Sequence, residues 1–281
     1  MTDKTITTLL TTGPHKTLPT TRLIRTYFSG HLIARTTSAL YVWENPHYPQ
    51  YYLPVTSISP SYLIPTTPFP ILDASNVHGS AQHAVLSVAD RSIDDVVIFT
   101  CGKLDGYVRI PFSAMDAWFE EDVQVYGEHP RSPFVRVDVL GSSRRVRVEV
   151  EGTLVAESAG CRFLYETGLR TRYYMPKTSL TGEKVQMQYL KPSVTTTKCP
   201  YKGMANYYDV VIGGKVYRDL VWWYEYPTAE SVGIAGMVCF YAEKCDVTVS
   251  DEEEFAALEE PELDGVEQNG DMDTGRGRSK C

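Results

Sequence analysis

Residues 25–54, RTYFSGHLIARTTSALYVWENPHYPQYYLP, and residues 147–176, RVEVEGTLVAESAGCRFLYETGLRTRYYMP, are one pattern written twice. They align without a gap at a constant offset of 122. Arg25, Gly30, Leu32, Ala34, Glu44, Tyr51, Tyr52 and Pro54 recur as Arg147, Gly152, Leu154, Ala156, Glu166, Tyr173, Tyr174 and Pro176. Where identity lapses, apolar character persists, as in Tyr41-Val42-Trp43 against Phe163-Leu164-Tyr165. A repeat of this period means two copies of one structural unit.

The repeat continues more loosely. Asp95-Val96-Val97-Ile98 aligns with Asp209-Val210-Val211-Ile212, and Gly102-Lys103 with Gly214-Lys215 after a two-residue slip. Within each copy the units are short strands. RRVRVEVEGTLVAES (144–158) alternates apolar and charged residues, which predicts a hairpin with Glu151-Gly152 at its turn. YYDVVIGGKVYRDLVWWYEY (207–226) predicts a second hairpin turning at Gly213-Gly214. One short helix per copy is expected, near Ser113–Glu121 and near Ala229–Glu243. The expected fold class is mainly β: two copies of a compact β-rich domain, each with about one short helix. The expected divisions are an N-terminal extension (1–20), a divergent first repeat (21–130), a second repeat with intact motifs (144–250) and an acidic tail (251–281). The join falls in the turn-rich stretch at 128–143.

A chain of 281 residues with 43% apolar content can bury two cores of ordinary size. No apolar run approaches the roughly 18 residues of a membrane helix, so no membrane partner is expected. The threonine-rich start has no basic cluster leading into a long apolar block, which predicts a cytoplasmic protein without a secretory signal. The net charge of −8 resides entirely in residues 251–281, where eleven acidic residues face three basic ones. Such a segment is expected to be disordered. The remaining 250 residues carry 24 acidic and 24 basic side chains, without the basic excess that a phosphate backbone requires; no nucleic-acid partner is expected. Six cysteines without a C-x-x-C pair read as reduced thiols.

Chemistry concentrates in the second copy. Thr195-Thr196-Thr197-Lys198-Cys199-Pro200-Tyr201-Lys202-Gly203 reads as a tight loop pre-shaped by Pro200 and Gly203. Lysines on either side of Cys199 favour its thiolate, although a buried, inert thiol fits the same sequence. A second cluster runs from Glu166, Thr167 and Gly168 to Arg172, Tyr173 and Tyr174. It offers one carboxylate, one cation and two phenols, a set suited to acid–base chemistry on a small polar ligand. The alternative is a structural Glu166–Arg172 bridge. All six histidines precede residue 130, so the second copy has no Ser-His or Cys-His pairing of its own and no histidine metal ligand. His78 and His83 read as ordinary polar residues, and no glycine-rich phosphate loop follows a strand.

ETG at 166–168, RYY-x-P at 172–176, T-x-CPYKG-x-A at 197–205, D-x-x-W at 219–222 and I-x-G-x-V-x-F-Y at 234–241 together resemble the domain-of-unknown-function family four-two-seven. That family carries a nucleotidyltransferase-like label, and the resemblance implies a compact, β-rich tandem. The first copy departs from the T-x-CPYKG element. Nucleotidyl transfer calls for paired carboxylates holding magnesium beside a phosphate cradle, and these motifs contain neither.

The expected function is therefore cofactor-independent catalysis on a small polar or carbonyl-containing ligand. Glu166 is the acid–base residue, with Arg172 and Lys202 holding an anionic or carbonyl group and Tyr173 orienting the ligand. Cys199 is nucleophile or wall, and Thr167, Thr197 and Gly203 complete the binding set. The rival readings are a non-catalytic ligand-binding or interaction module and the nucleotidyl transfer that the label implies.

Overall fold

The computed structural model describes residues 3–69, 79–100, 102–177 and 189–250. The acidic tail and His78 lie outside the described residues. The first domain opens with helix α1 (Asp3–Thr11) and continues as β1 (Lys16–Pro19), β2 (Ile24–Phe28), β3 (His31–Thr36), β4 (Leu40–Trp43), β5 (Gln50–Pro54) and β6 (Leu63–Pro68). Then follow β7 (Ala81–Val88), β8 (Arg91–Phe99), β9 (Tyr107–Arg109), β10 (Ala117–Glu120) and β11 (Val123–Val125). The second domain runs through β12 (Val137–Ser142), β13 (Val146–Val150), β14 (Thr153–Ser158), β15 (Cys161–Glu166) and β16 (Arg172–Met175). It ends with β17 (Leu190–Cys199), β18 (Gly203–Ile212), β19 (Lys215–Tyr224), β20 (Val238–Phe240) and β21 (Asp246–Val249).

The two domains share one topology. A seven-stranded sheet has the order β1-β4-β5-β9-β8-β7-β6 in the first and β12-β15-β16-β20-β19-β18-β17 in the second. Each is accompanied by a small sheet, β11-β10-β2-β3 and β14-β13-β21 respectively. Even the register repeats: Leu40 faces Tyr52 and Tyr41 faces Tyr51, as Arg162 faces Tyr174 and Phe163 faces Tyr173, at the same offset of 122. Alternation decides which side chains enter which layer. Val146, Val148, Phe163, Met175, Val221 and Phe240 are buried in one cluster of the second domain. A second cluster, containing Leu164, Tyr174, Trp222 and Cys239, collects alternate residues of the same strands.

Both predicted hairpins turn where expected, between β13 and β14 and between β18 and β19. The looser part of the repeat needs correction. Pairing with β9 and β20 makes Val97 and Ile98 equivalent to Trp222 and Trp223, so 95–98 matches 220–223 and not 209–212, which lies on β18. The helix expected near 113–121 is one 3-10 turn (Phe112–Ala114) followed by β10. Ala117-Trp118-Phe119-Glu120 pairs with β2 and buries alternate residues, and that period of two suits a strand. Near 229–243 the helix is confined to a 3-10 turn, Ala229–Ile234, before β20. The expected N-terminal extension contains α1 and β1, and the expected join contains β12, an edge strand of the second sheet.

The segment between the domains is packed on both. His129 stacks on Tyr48 at 4.4 Å, Phe134 meets Trp43 at 5.6 Å, and Arg131 pairs with Glu230 at 2.6 Å while lying 3.9 Å from Glu120. No helix among the described residues is long and apolar enough to cross a membrane.

Candidate functional site

Glu166 is the last residue of β15. The chain turns after it, with Leu169 N–H donating to the Glu166 carbonyl at 2.9 Å. Thr167 anchors that turn: its N–H donates to the Arg136 carbonyl, and its hydroxyl accepts from Arg136 N–H, both at 3.0 Å. Its hydroxyl is thus engaged by the backbone entering β12. On β16 the period of two then separates the predicted pair of tyrosines. Tyr173 packs edge-to-face on Phe163 at 4.8 Å and points into the core between the sheets, so it does not reach the ligand position expected for it. Arg172 and Tyr174 point to the opposite face, and Tyr174 accepts a hydrogen bond from Trp222 Nε1 at 3.0 Å.

Lys202 arrives from another direction. The loop expected over 195–203 is shorter than that: residues through Cys199 belong to β17, Cys199 pairs with Gly203, and only Pro200, Tyr201 and Lys202 form the hairpin tip. That tip is held on several sides. The Tyr201 carbonyl accepts from Thr228 and Ser231 hydroxyls at 2.5 and 3.1 Å, and the Tyr201 hydroxyl accepts from Ser132 N–H at 2.8 Å. Gly203 is required here: its φ is +98°, and an added Cβ would stand 3.2 Å from the Tyr226 carbonyl oxygen. So fixed, Lys202 donates directly to the Glu166 carboxylate. Their side chains are 12% and 8% exposed, which makes this a nearly buried ion pair.

The pair sits on the wall of a pocket of about 180 Å³. Its other walls are Leu164, Tyr207, Trp222, Tyr224 and Tyr241, with Leu169, Arg170 and Arg172 completing it. Arg172 lies over the Trp222 ring, 5.4 Å from its centre, and donates to Glu243 at 2.9 Å. The alternative Glu166–Arg172 bridge is therefore not what forms; each ion takes a different partner. Arg172's hydrogen bond lowers the Glu243 carboxyl below its usual range, while burial works against the Arg172 charge and Glu243 restores it. Burial pushes the Tyr174, Tyr224 and Tyr241 phenols up, so they are neutral at neutral pH. The charges presented to a ligand are those of Glu166, Lys202 and the two arginines.

The structure thus gathers Glu166, Arg172 and Lys202 and leaves other predicted residues outside the lining. Thr197 touches it indirectly, sharing a 2.8 Å hydrogen bond with the Tyr207 hydroxyl. Cys199 is half-buried at the hairpin base and Gly203 shapes the tip. Tyr207, Trp222, Tyr224 and Tyr241 were not singled out from sequence, although Trp222 and Tyr241 close the D-x-x-W and I-x-G-x-V-x-F-Y elements. No group of three His, Cys, Asp or Glu suited to a metal occurs among the described residues.

Residues 16–121 and 138–251 each match the family described as Domain of unknown function (DUF427). The two matches span well over half of the chain, which belongs to this family and carries its domain twice. No curated protein matches the chain.

Proposed function

We propose that the second domain is a cofactor-independent site that binds a small carbonyl- or carboxylate-bearing molecule and moves a proton on it. The observation that carries this reading is the Glu166–Lys202 pair, nearly buried on the wall of an aromatic pocket with Arg172 beside it. Nearly buried charges are costly to a fold, and functional clefts are where that cost is commonly met. A ligand carbonyl oxygen entering the pocket draws the Lys202 ammonium away from Glu166. The freed carboxylate then takes a proton from the carbon next to the carbonyl. That C–H bond breaks, its electron pair becomes the enolate, and the charge arriving on oxygen is met by Lys202 and Arg172. Pocket size limits the ligand to a few heavy atoms beyond its carbonyl or carboxylate head.

The test is deuterium uptake at the carbon beside the carbonyl of a panel of small 2-oxo acids in D2O, followed by proton NMR. Wild-type protein accelerates uptake for at least one acid, Glu166→Gln lowers that rate at least 100-fold, and Glu44→Gln leaves it unchanged. A rate in Glu166→Gln equal to wild type refutes the assignment. The direct Lys202–Glu166 bond also favours a second reading, a binding module in which ligand merely competes with an internal ion pair. Calorimetric binding of the same acids, lost in Lys202→Met but without deuterium uptake in wild type, selects that reading.

A further inference from the structure

The register that makes the large sheets equivalent also identifies what the first domain has in place of the pocket. In the second domain, Arg162, Tyr174, Cys239, Trp222 and Tyr207 stand side by side across five strands. The same row in the first domain reads Leu40, Tyr52, Arg109, Val97 and His83. Two residues along β5, Gln50 stands where Arg172 stands, and Glu44 follows β4 where Glu166 ends β15. Valine replaces the pocket's indole, and the space above the row is taken by α1. Ile6, Leu9 and Leu10 of the helix form one buried cluster with Leu40, Tyr52 and Val97. Arg109, between Tyr52 and Val97 in that row, is buried as well.

Beneath the helix lies a polar group that is not fully satisfied. Arg109 Nε and the Tyr52 hydroxyl both donate to Glu44 Oε1 at 3.1 Å, and Arg109 Nη1 lies 3.5 Å from Asp95 Oδ2. Arg109 and Gln50 are only 9% and 8% exposed, yet Arg109 Nη1 and Gln50 Oε1 make no hydrogen bond. They are diagonal neighbours on one sheet face, at roughly 7–8 Å between Cα atoms, within reach of one small molecule. Gln50 Oε1, a buried acceptor without a hydrogen bond, stands beside a guanidinium nitrogen that has only the 3.5 Å ion contact with Asp95, and one polar ligand would complete both.

The helix above owes its place to docking and not to intrinsic propensity. Its nine residues are fewer than the roughly 12–15 that sustain a helix alone. Thr5, Thr7, Thr8 and Thr11 are poor helix formers, and its buried side chains are Ile6, Leu9 and Leu10. The chain leaves α1 through Gly13, whose φ of +82° and N–H donated to the Thr8 carbonyl at 3.1 Å cap the helix. Beside the end of the helix, Leu9, Leu10, Phe99 and Leu104 line a cavity of about 160 Å³.

We propose that α1 is a lid over a second binding site, formed in the first domain by Gln50, Arg109 and the apolar row around them. Glu44 and Asp95 already meet the charge of Arg109, so the ligand is neutral: a small amide, its oxygen accepting from Arg109 Nη1 and its N–H donating to Gln50 Oε1. This assignment rests on first-domain residues and does not require activity in the second domain.

The test uses the full chain and benzamide as probe. Amide hydrogen exchange followed by NMR gives α1 amides exchanging at least 100-fold faster than those of β5 and β8, because the lid opens without unfolding the sheet. Benzamide shifts first-domain signals and binds Leu10→Ala at least tenfold more tightly than wild type, since the closed lid reduces apparent affinity. Ile6→Val, a milder loosening, moves affinity in the same direction by less. Gln50→Leu abolishes the shifts. Exchange of α1 at the rate of the strands, or equal affinity in wild type and Leu10→Ala, overturns the lid; absence of benzamide shifts in Leu10→Ala overturns the site.

Discussion

Removing the Lys202 ammonium leaves Glu166 ionised on the wall of an aromatic pocket, with 8% of its side chain exposed. Two unit charges at ion-pair distance attract by about 4 kcal/mol at an effective dielectric near 20. Taking each ion from water costs several kcal/mol, so the pair as a whole adds little to stability. Breaking it from one side is different, because the remaining ion keeps its desolvation cost and loses its partner. Lys202→Met and Glu166→Gln should each destabilise the second domain by about 3–5 kcal/mol, whereas the double variant should lose about 0–2 kcal/mol. The coupling read from the cycle is then about 4 kcal/mol or more. Urea unfolding followed by tryptophan fluorescence suits the measurement, since Trp222 and Trp223 report the second domain and Trp43 and Trp118 the first. With m near 2 kcal/mol/M, each single variant shifts the second-domain midpoint by roughly 2 M and the double variant by under 1 M. Losses in the two single variants that simply add in the double would refute the buried-pair reasoning, and the proposed base would lose its partner.

Three further outcomes follow from named contacts. Gly203→Ala forces a side chain into φ +98° against the Tyr226 carbonyl and should cost about 1–3 kcal/mol in the same urea assay, with ligand affinity falling as Lys202 moves. Tyr174→Phe removes the acceptor for Trp222 Nε1 and should cost about 1–3 kcal/mol, while Tyr173→Phe should leave pocket binding unchanged; the reverse order would contradict the facing of β16. Burial lowers the His129 pKa from its ordinary 6.5, so the folded state binds fewer protons than the unfolded one once pH falls below that value. Stability contributed by neutral His129 is complete above about pH 6.5 and declines as pH falls toward its folded pKa, and His129→Gln should flatten that decline in thermal melts between pH 7 and 5.

The repeated stretch was legible because its information is local. Gapless spacing and the period of two in 147–176 specify strands, turns and their register without reference to anything distant. The second half of each copy was harder for a physical reason. The chain between β6 and β7 differs in length from that between β17 and β18, and pairing across strands, not order along the chain, decides which residues correspond. Hence 95–98 drifted onto β18 when its partner is β19. Helix α1 left little local signal because four of its nine residues are threonine; docking of Ile6, Leu9 and Leu10 on the sheet supplies what propensity lacks. At the site, residue type found Glu166, Arg172 and Lys202, while the aromatic walls come from β18, β19 and the chain after β20, which only the sheet order brings together.

The most instructive correspondence is the glutamate that both copies retain. Glu44 and Glu166 stand at the same corner of the same sheet, and both are nearly buried beside a cation. A carboxylate there cannot persist alone, so each domain must deliver a positive charge to it. In the first domain that charge comes from the sheet itself, as Arg109 rises from β9 at the position where the second domain has Cys239. In the second it comes from outside the sheet, as Lys202 reaches over on a hairpin tip held by Thr228, Ser231 and Ser132. The difference governs what each face can hold. An arginine in the middle of the row occupies the sheet surface among residues that α1 packs against, whereas a lysine arriving from the side leaves the row to Trp222 and Tyr207 and keeps the pocket open above them. The shared glutamate is therefore a property of the fold, and the direction from which its cation arrives is what distinguishes a lidded domain from an open one.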